Sequence, residues 1–157
     1  MPRITTFLTY DDQAEEAAKF YVSVFKNSRI GNVTRYGEAG PEHKGSVMTV
    51  TFELDGQEFV ALNGGPHFKF TDGISLSVDC KTQEEIDAYW EKLSEGGEKG
   101  PCGWLKDKFG LSWQINPTIL GEMFSDSNPK KSKRAMEAML KMKKIDIAAL
   151  KKAYAGR

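Results

Sequence analysis

The stretch TFLTYDDQAEEAAKFYVSVF, residues 6–25, returns 69 positions later as SLSVDCKTQEEIDAYWEKLS, residues 75–94. At that shift Glu15-Glu16 falls on Glu84-Glu85, Phe20-Tyr21 on Tyr89-Trp90 and Val24 on Leu93 without a gap. The residues in front match too, Phe7 on Leu76 and Thr9 on Val78. Self-similarity at a fixed period signals a duplicated unit and is sought before a fold is named. In the first copy Ala14, Ala17, Ala18, Tyr21, Val24 and Phe25 share one helical stripe, and Asp12 with Glu15 resembles a capping pair, which predicts a helix over about 12–26. In the second, Ile86, Tyr89, Trp90 and Leu93 form the stripe, Thr82 with Glu85 the capping box, and Gly96-Gly97 the stop, which predicts a helix over about 83–95.

Outward from these helices, strands are expected over about 29–36, 45–54 and 57–63 in the first half, and about 98–102, 104–108 and 111–116 in the second. Asp55-Gly56 between alternating runs is a hairpin signal, and Phe109-Gly110 plays the same part in the second half. The fold class is therefore α+β, two βαβββ modules of about 1–65 and 70–117, together spanning 1–117. Beyond Pro117 the composition turns helical, a C-terminal extension over 118–157. Asn128 caps a helix with Pro129 at its first position, and Asp146 caps a last short one. Met136, Met139 and Leu140 form a stripe there, continued by Met142 and Ile145, while seven Lys and Arg lie between 130 and 144. We read a packed tail with a solvated basic face, the alternative being a helix for an acidic partner.

The chain has 157 residues, 22 Lys+Arg against 22 Asp+Glu, and a pI near 6.7. No global field draws it toward nucleic acid or a bilayer, and small, largely uncharged partners are expected. No apolar run approaches the ~20 residues of a membrane span, and the N-terminus lacks a signal-peptide core, so a cytoplasmic location is expected. Cys80 and Cys102 are expected as reduced thiols.

Side chains alternate along a strand. Met48, Val50, Phe52 and Leu54 thus oppose Val47, Thr49, Thr51 and Glu53. Likewise Ile74, Leu76 and Val78 oppose Ser75, Ser77 and Asp79, and Leu111, Trp113 and Ile115 oppose Ser112, Gln114 and Asn116. A face merely bathed in water collects Lys and Glu; these polar faces carry mostly Ser, Thr, Gln and Asn, which suits a cleft whose hydrogen-bonding groups find a ligand or ordered water, the alternative being an exposed antiparallel face that is Thr-rich because strands favour Thr.

Few residues advertise chemistry. His67 follows Gly64-Gly65-Pro66 at the junction of the halves, where it serves either as general base or donor in a cleft, or as a linker residue. His43 sits in loop composition and is expected to be solvated. Cys102 is a quiet thiol unless a base lowers its pKa, and Trp104 is either a stacking wall or ordinary core. There is no GxGxxG, phosphate loop, HExxH, GxSxG or CxxC, which removes the corresponding cofactor and hydrolase classes. With two His in all, neither a metal nor another cofactor is expected.

The paired βαβββ pattern, with AEEAAKFYVSVF, GSVMTVTFELDGQEFVALNGGPHFKF, SLSVDCKTQEEIDAYWEKLSEGGE and CGWLKDKFGLSWQINP, resembles the vicinal oxygen chelate (glyoxalase-like) superfamily. More narrowly it is similar to the PhnB-like branch named for 3-demethylubiquinone-9 3-methyltransferase, and the likeness runs on through AMLKMKKIDIAALKKAY. The resemblance implies two curved half-barrels around an inter-module cleft, usually in a homodimer. In metal-dependent members the ligands are a His or Gln on a module's first strand and a Glu on its last. Here those positions offer Thr5 and Phe7, or Ser75 and Leu76, and Gln114. The expected function is binding of a small organic molecule without a metal, by stacking on Trp104 and hydrogen bonds to Thr49, Asn63 and Gln114. The alternative is a divergent enzyme (lyase, isomerase or methyltransferase) with His67 as proton carrier and Cys102 nearby. A third reading is an interaction module presenting the basic C-terminal helix.

Overall fold

The computed structural model describes residues 1–157 and divides into two compact units, Met1–Lys69 and Phe70–Arg157. The first runs β1 (Thr6–Tyr10), α1 (Ala14–Val24), β2 (Ser28–Arg35), β3 (Val47–Leu54), β4 (Gln57–Asn63). The second runs β5 (Ser75–Cys80), α2 (Gln83–Ser94), β6 (Glu98–Lys99), β7 (Trp104–Lys106), β8 (Ser112–Pro117) and then α3 (Ile119–Phe124), α4 (Pro129–Met139) and α5 (Ile147–Tyr154). The sheet orders β1-β4-β3-β2 and β5-β8-β7-β6 are the same topology twice. In each, the first strand pairs parallel with the last and the others are antiparallel. No helix is long and apolar enough to cross a membrane.

In the first unit the small residues of the α1 stripe, Ala14, Ala17 and Ala18, are fully buried, which lets the helix lie close on the sheet. Behind them Tyr21 stacks on Phe52 at 6.1 Å and Phe52 on Phe59 at 5.5 Å. Burying such rings stabilises by roughly 1.5–3 kcal/mol each before the aromatic contacts are added. In the second unit Ile86, Trp90 and Leu93 of α2, with Trp113 and Ile115 of β8, fill the equivalent place. The Thr82 hydroxyl accepts from the Glu85 N–H, as the capping box predicts.

Three expectations are corrected. The α1 cap is not Asp12: the helix begins after Gln13, with no capping bond from its own flank, and the Ala14 N–H donates 2.8 Å to the Asn63 Oδ1 from the end of β4. The ungapped shift of 69 holds for the helices but not for the strands. Leu8 and Tyr10 are buried, Tyr10 bonding to Tyr21, whereas Phe7 is 56% exposed; in β5 it is Leu76 and Val78 that pair with the buried Trp113 and Ile115. The strands therefore superpose at 70, and one residue is lost between strand and helix in the second unit. A one-residue slip reverses every side chain's face. Ile74, placed by alternation with Leu76 and Val78, is 67% exposed, because it precedes the first ladder pair, Ser75 with Ser112.

The strand expected over 98–102 shrinks to Glu98–Lys99. Pro101, Cys102 and Gly103 form a tight turn closed by the Trp104 N–H on the Pro101 carbonyl at 3.0 Å. Both capping predictions in the extension hold. Asn128 accepts from the Lys130 and Lys131 N–H groups with Pro129 at the first turn, and Asp146 accepts from the Ala149 N–H.

The extension is anchored to the second unit by its backbone. The Cys102 and Gly103 N–H groups donate to the Met142 and Lys143 carbonyls at 2.8 and 2.7 Å. The Gln83 amide bridges the Ile145 carbonyl and the Ile147 N–H. Ile145 and Leu150 are fully buried, so these bonds lie over an apolar seat.

Candidate functional site in the second unit

The polar face of the second sheet is a continuous side-chain network. The Gln114 Nε2 donates to the Ser75 Oγ at 2.9 Å, and the Asn116 Nδ2 donates to the Ser77 Oγ at 3.1 Å and to the Gln114 Oε1 at 3.3 Å. The pairing of β7 with β8 puts Trp104 directly across from Gln114. The indole is placed by the preceding turn, in which Cys102 adopts a left-handed φ of 57° and Gly103 one of 82°. A non-glycine residue in that region is uncommon and is held here by its neighbours, through the two backbone bonds to the extension.

Against this face lies a cavity of about 490 Å³. Asp79, Cys102, Trp104, Gln114 and Asn116 form its sheet side, and Thr118, Leu120, Phe124 and Met139 its helical side. Three expected site residues, Cys102, Trp104 and Gln114, are thus brought together. Trp104 also borders a neighbouring hollow of about 390 Å³, at whose edge Lys106 pairs with Asp72 at 2.9 Å, an ion pair that raises the Lys106 pKa above its ordinary value.

The other expected residues lie elsewhere. Thr49 is half-buried on the polar face of the first sheet and shares a 2.5 Å hydroxyl–hydroxyl bond with Thr34. Asn63 is on the opposite, α1-facing side, 7% exposed; its Oδ1 is taken by Ala14, its Nδ2 by the Val47 carbonyl at 3.1 Å and its own carbonyl by the Tyr36 hydroxyl. It is engaged in holding the fold. His67 is exposed in the turn after β4 and is not part of the cavity wall. The Gly64-Gly65 pair before it binds the end of β1, Gly64 N–H to the Tyr10 carbonyl and Gly65 N–H to the Asp11 carbonyl. Gly65 has φ +91°, a conformation that favours glycine, and a Cβ on Gly64 would stand 2.8 Å from the Phe68 ring and 2.9 Å from Thr9, so a side chain there would have to displace them.

Asp79 and Asn116 belong to the polar alternation visible in the sequence, but nothing there marks them as site residues. Phe124 has no signal at all, because its approach to β8 depends on how α3 folds back. No three His, Cys, Asp or Glu side chains converge, and the first- and last-strand positions carry Ser75, Ser77 and Gln114, so the donor set does not fit the divalent cation of the metal-dependent glyoxalase-like proteins. The turns from strand to helix, Asp11-Asp12-Gln13 and Lys81-Thr82, contain no glycine and do not fit an adenosyl cradle.

The sequence model of a family described as 3-demethylubiquinone-9 3-methyltransferase matches residues 2–116. The match stops short of the extension, through which the sequence likeness was expected to run. Among solved structures, a PhnB protein from Bacillus cereus is 41% identical, with a TM-score of 0.66, over 74% of this chain and 100% of its own. A Pseudomonas aeruginosa protein at 20% identity and TM-score 0.62 covers 74% of this chain and 98% of its own. The fosfomycin resistance protein FosX from Mesorhizobium loti, at 13% identity and TM-score 0.57, covers 80% and 98%; these last two show the fold alone. A search of curated protein sequences gave no significant match.

Proposed function

The chain belongs to the 3-demethylubiquinone-9 3-methyltransferase family, as a PhnB-like protein of glyoxalase-like fold, and from that premise we propose that it binds a small organic molecule, without a metal, on the polar face of its second sheet. One observation carries this reading. Trp104, Gln114 and Cys102, from two strands and a strained turn, border one cavity of about 490 Å³, a size that suits a drug-sized ligand. An indole beside primary amides offers a stacking surface and fixed hydrogen bonds, the usual means by which a largely apolar pocket orients its ligand. The reading includes a homodimer.

Calorimetric titration of the full chain with a panel of aromatic amines, amides and alcohols tests it. Stoichiometric binding, with the ligand recovered unaltered, is expected. Trp104→Ala should weaken that binding about tenfold, the loss of one aromatic contact and its buried area, with little change in melting temperature. Conversion of the ligand into product, abolished by His67→Ala, would replace the binding reading with an enzymatic one.

A further inference from the structure

We infer that residues 118–157 are a working wall of this site and that they select, with Asp79, an organic monocation with a flat apolar body; the inference rests on the binding reading above. The family match ends at residue 116, and the Bacillus cereus PhnB protein is covered in full by 74% of this chain. The extension is therefore additional to the shared domain. Yet Thr118, Leu120, Phe124 and Met139 all border the cavity. Without them the sheet face would be an open surface, since Asp79, Trp104, Gln114 and Asn116 all lie on one side of the sheet and only Pro117, at the end of its strand, lies on the other. Phe124 and Met139 are half-buried, as expected of side chains that face a hollow and not a packed core.

The ligand's charge follows from which hydrogen-bonding valences are left over. Both N–H groups of the Asn116 amide are taken, by Ser77 and Gln114, and one N–H of Gln114 is taken by Ser75. What remains on the lining is a mixture: the Asp79 carboxyl, the Asn116 Oδ1 and the second lone pair of the Gln114 Oε1 accept, while the second Gln114 N–H, the Trp104 indole N–H and the Thr118 hydroxyl donate. Asp79, exposed at the rim, is the one acidic or basic residue in the wall. A lining with donors and acceptors for a neutral group, but with an acid as its only charged residue type, calls for a ligand with a single positive charge. Trp104 and Phe124 supply the aromatic faces that attract an ammonium, while Leu120 and the Met139 thioether accommodate the apolar body.

The test uses the full chain at pH 7 and two probes of one shape, 1-naphthylmethylammonium and 1-naphthylmethanol, followed by calorimetry. The ammonium should bind about tenfold more tightly than the alcohol, a gain of the size expected for a cation beside a carboxylate and aromatic faces. Asp79→Asn should bring the ammonium down to the affinity of the alcohol. Phe124→Ala and Met139→Ala should weaken both probes about fivefold or more, whereas Met136→Ala, exposed on the same helix, should change neither. Phe124→Leu, which keeps apolar bulk but removes the ring, should lower the ammonium's advantage over the alcohol and so separates ligand contact from a folding defect. Equal affinities for the two probes would overturn the cation assignment. Binding indifferent to Phe124 and Met139 would overturn the role of the extension while leaving the binding function standing. No binding by these probes or by any compound of the wider panel would remove the function itself.

Discussion

Asn63 shows how much one side chain can hold. Its amide caps α1 from the last strand of the first unit and ties β4 to the Val47 carbonyl. Removing a buried partner leaves the full desolvation cost of the groups it served, about 1–3 kcal/mol. Asn63→Ala, which orphans the Ala14 N–H, should therefore lower unfolding free energy by about 2 kcal/mol in a urea titration, and the same substitution at exposed Asn32 by much less. The two cysteines separate in the same way. Burial, aided by the charges of Glu85 and Asp79, pushes the Cys80 thiol up to about 12 from an ordinary value of 9.0. The folded state then keeps a proton that the unfolded chain gives up. That contribution is intact below pH 9 and is lost as the pH climbs toward 12, at no more than about 1.4 kcal/mol per pH unit. Stability measured between pH 9 and 11 should fall, and less steeply in Cys80→Ala. Iodoacetamide on the native protein should label half-exposed Cys102 and spare Cys80.

At the scale of elements, the end of α2 separates two jobs that the sequence presents as one Gly-Gly stop. Gly96 adopts φ +76°, the left-handed residue that follows a helix. Gly97 matters for space: a Cβ there would stand 2.1 Å from the Lys106 carbonyl oxygen, at the edge where Glu98 pairs with Lys106. Backbone cannot yield as a flexible side chain does. Gly97→Ala should therefore be the more damaging, above about 2 kcal/mol, against about 1 kcal/mol for Gly96→Ala, and hydrogen exchange of the β6–β7 amides should rise only in the former. The helices themselves were legible because stripe and cap are local patterns. Thr82 needed only Glu85 three residues on, and Asn128 only the turn after it. The α1 cap was not legible, because its acceptor comes from 49 residues away.

For the whole molecule, the duplication in the sequence reappears as two sheets of one topology, and the difference between the units lies in what was added to the second. Its β7 turn is bonded to the extension by the Cys102 and Gly103 N–H groups, its α2 by Gln83 and by the Lys144–Asp87 pair, and its cavity is completed by α3 and α4. The expectation of a packed tail described the seat of Ile145 and Leu150 correctly. It gave no sign that the same tail would border a cavity.

By itself the sequence determined the two βαβββ modules, the helices with their stops and most of the turns, since periodicity, caps and glycine placement act within a few residues of chain. Alternation also gave the faces of β3, β5 and β8, but tertiary structure alone decided the face of β1, because a single residue lost between β5 and α2 breaks the shift that related the two units. It also committed Asn63 to the fold and joined Asp79, Phe124 and Met139 around Trp104. Those outcomes depend on contacts between residues tens of positions apart, and a linear pattern carries no record of such distances.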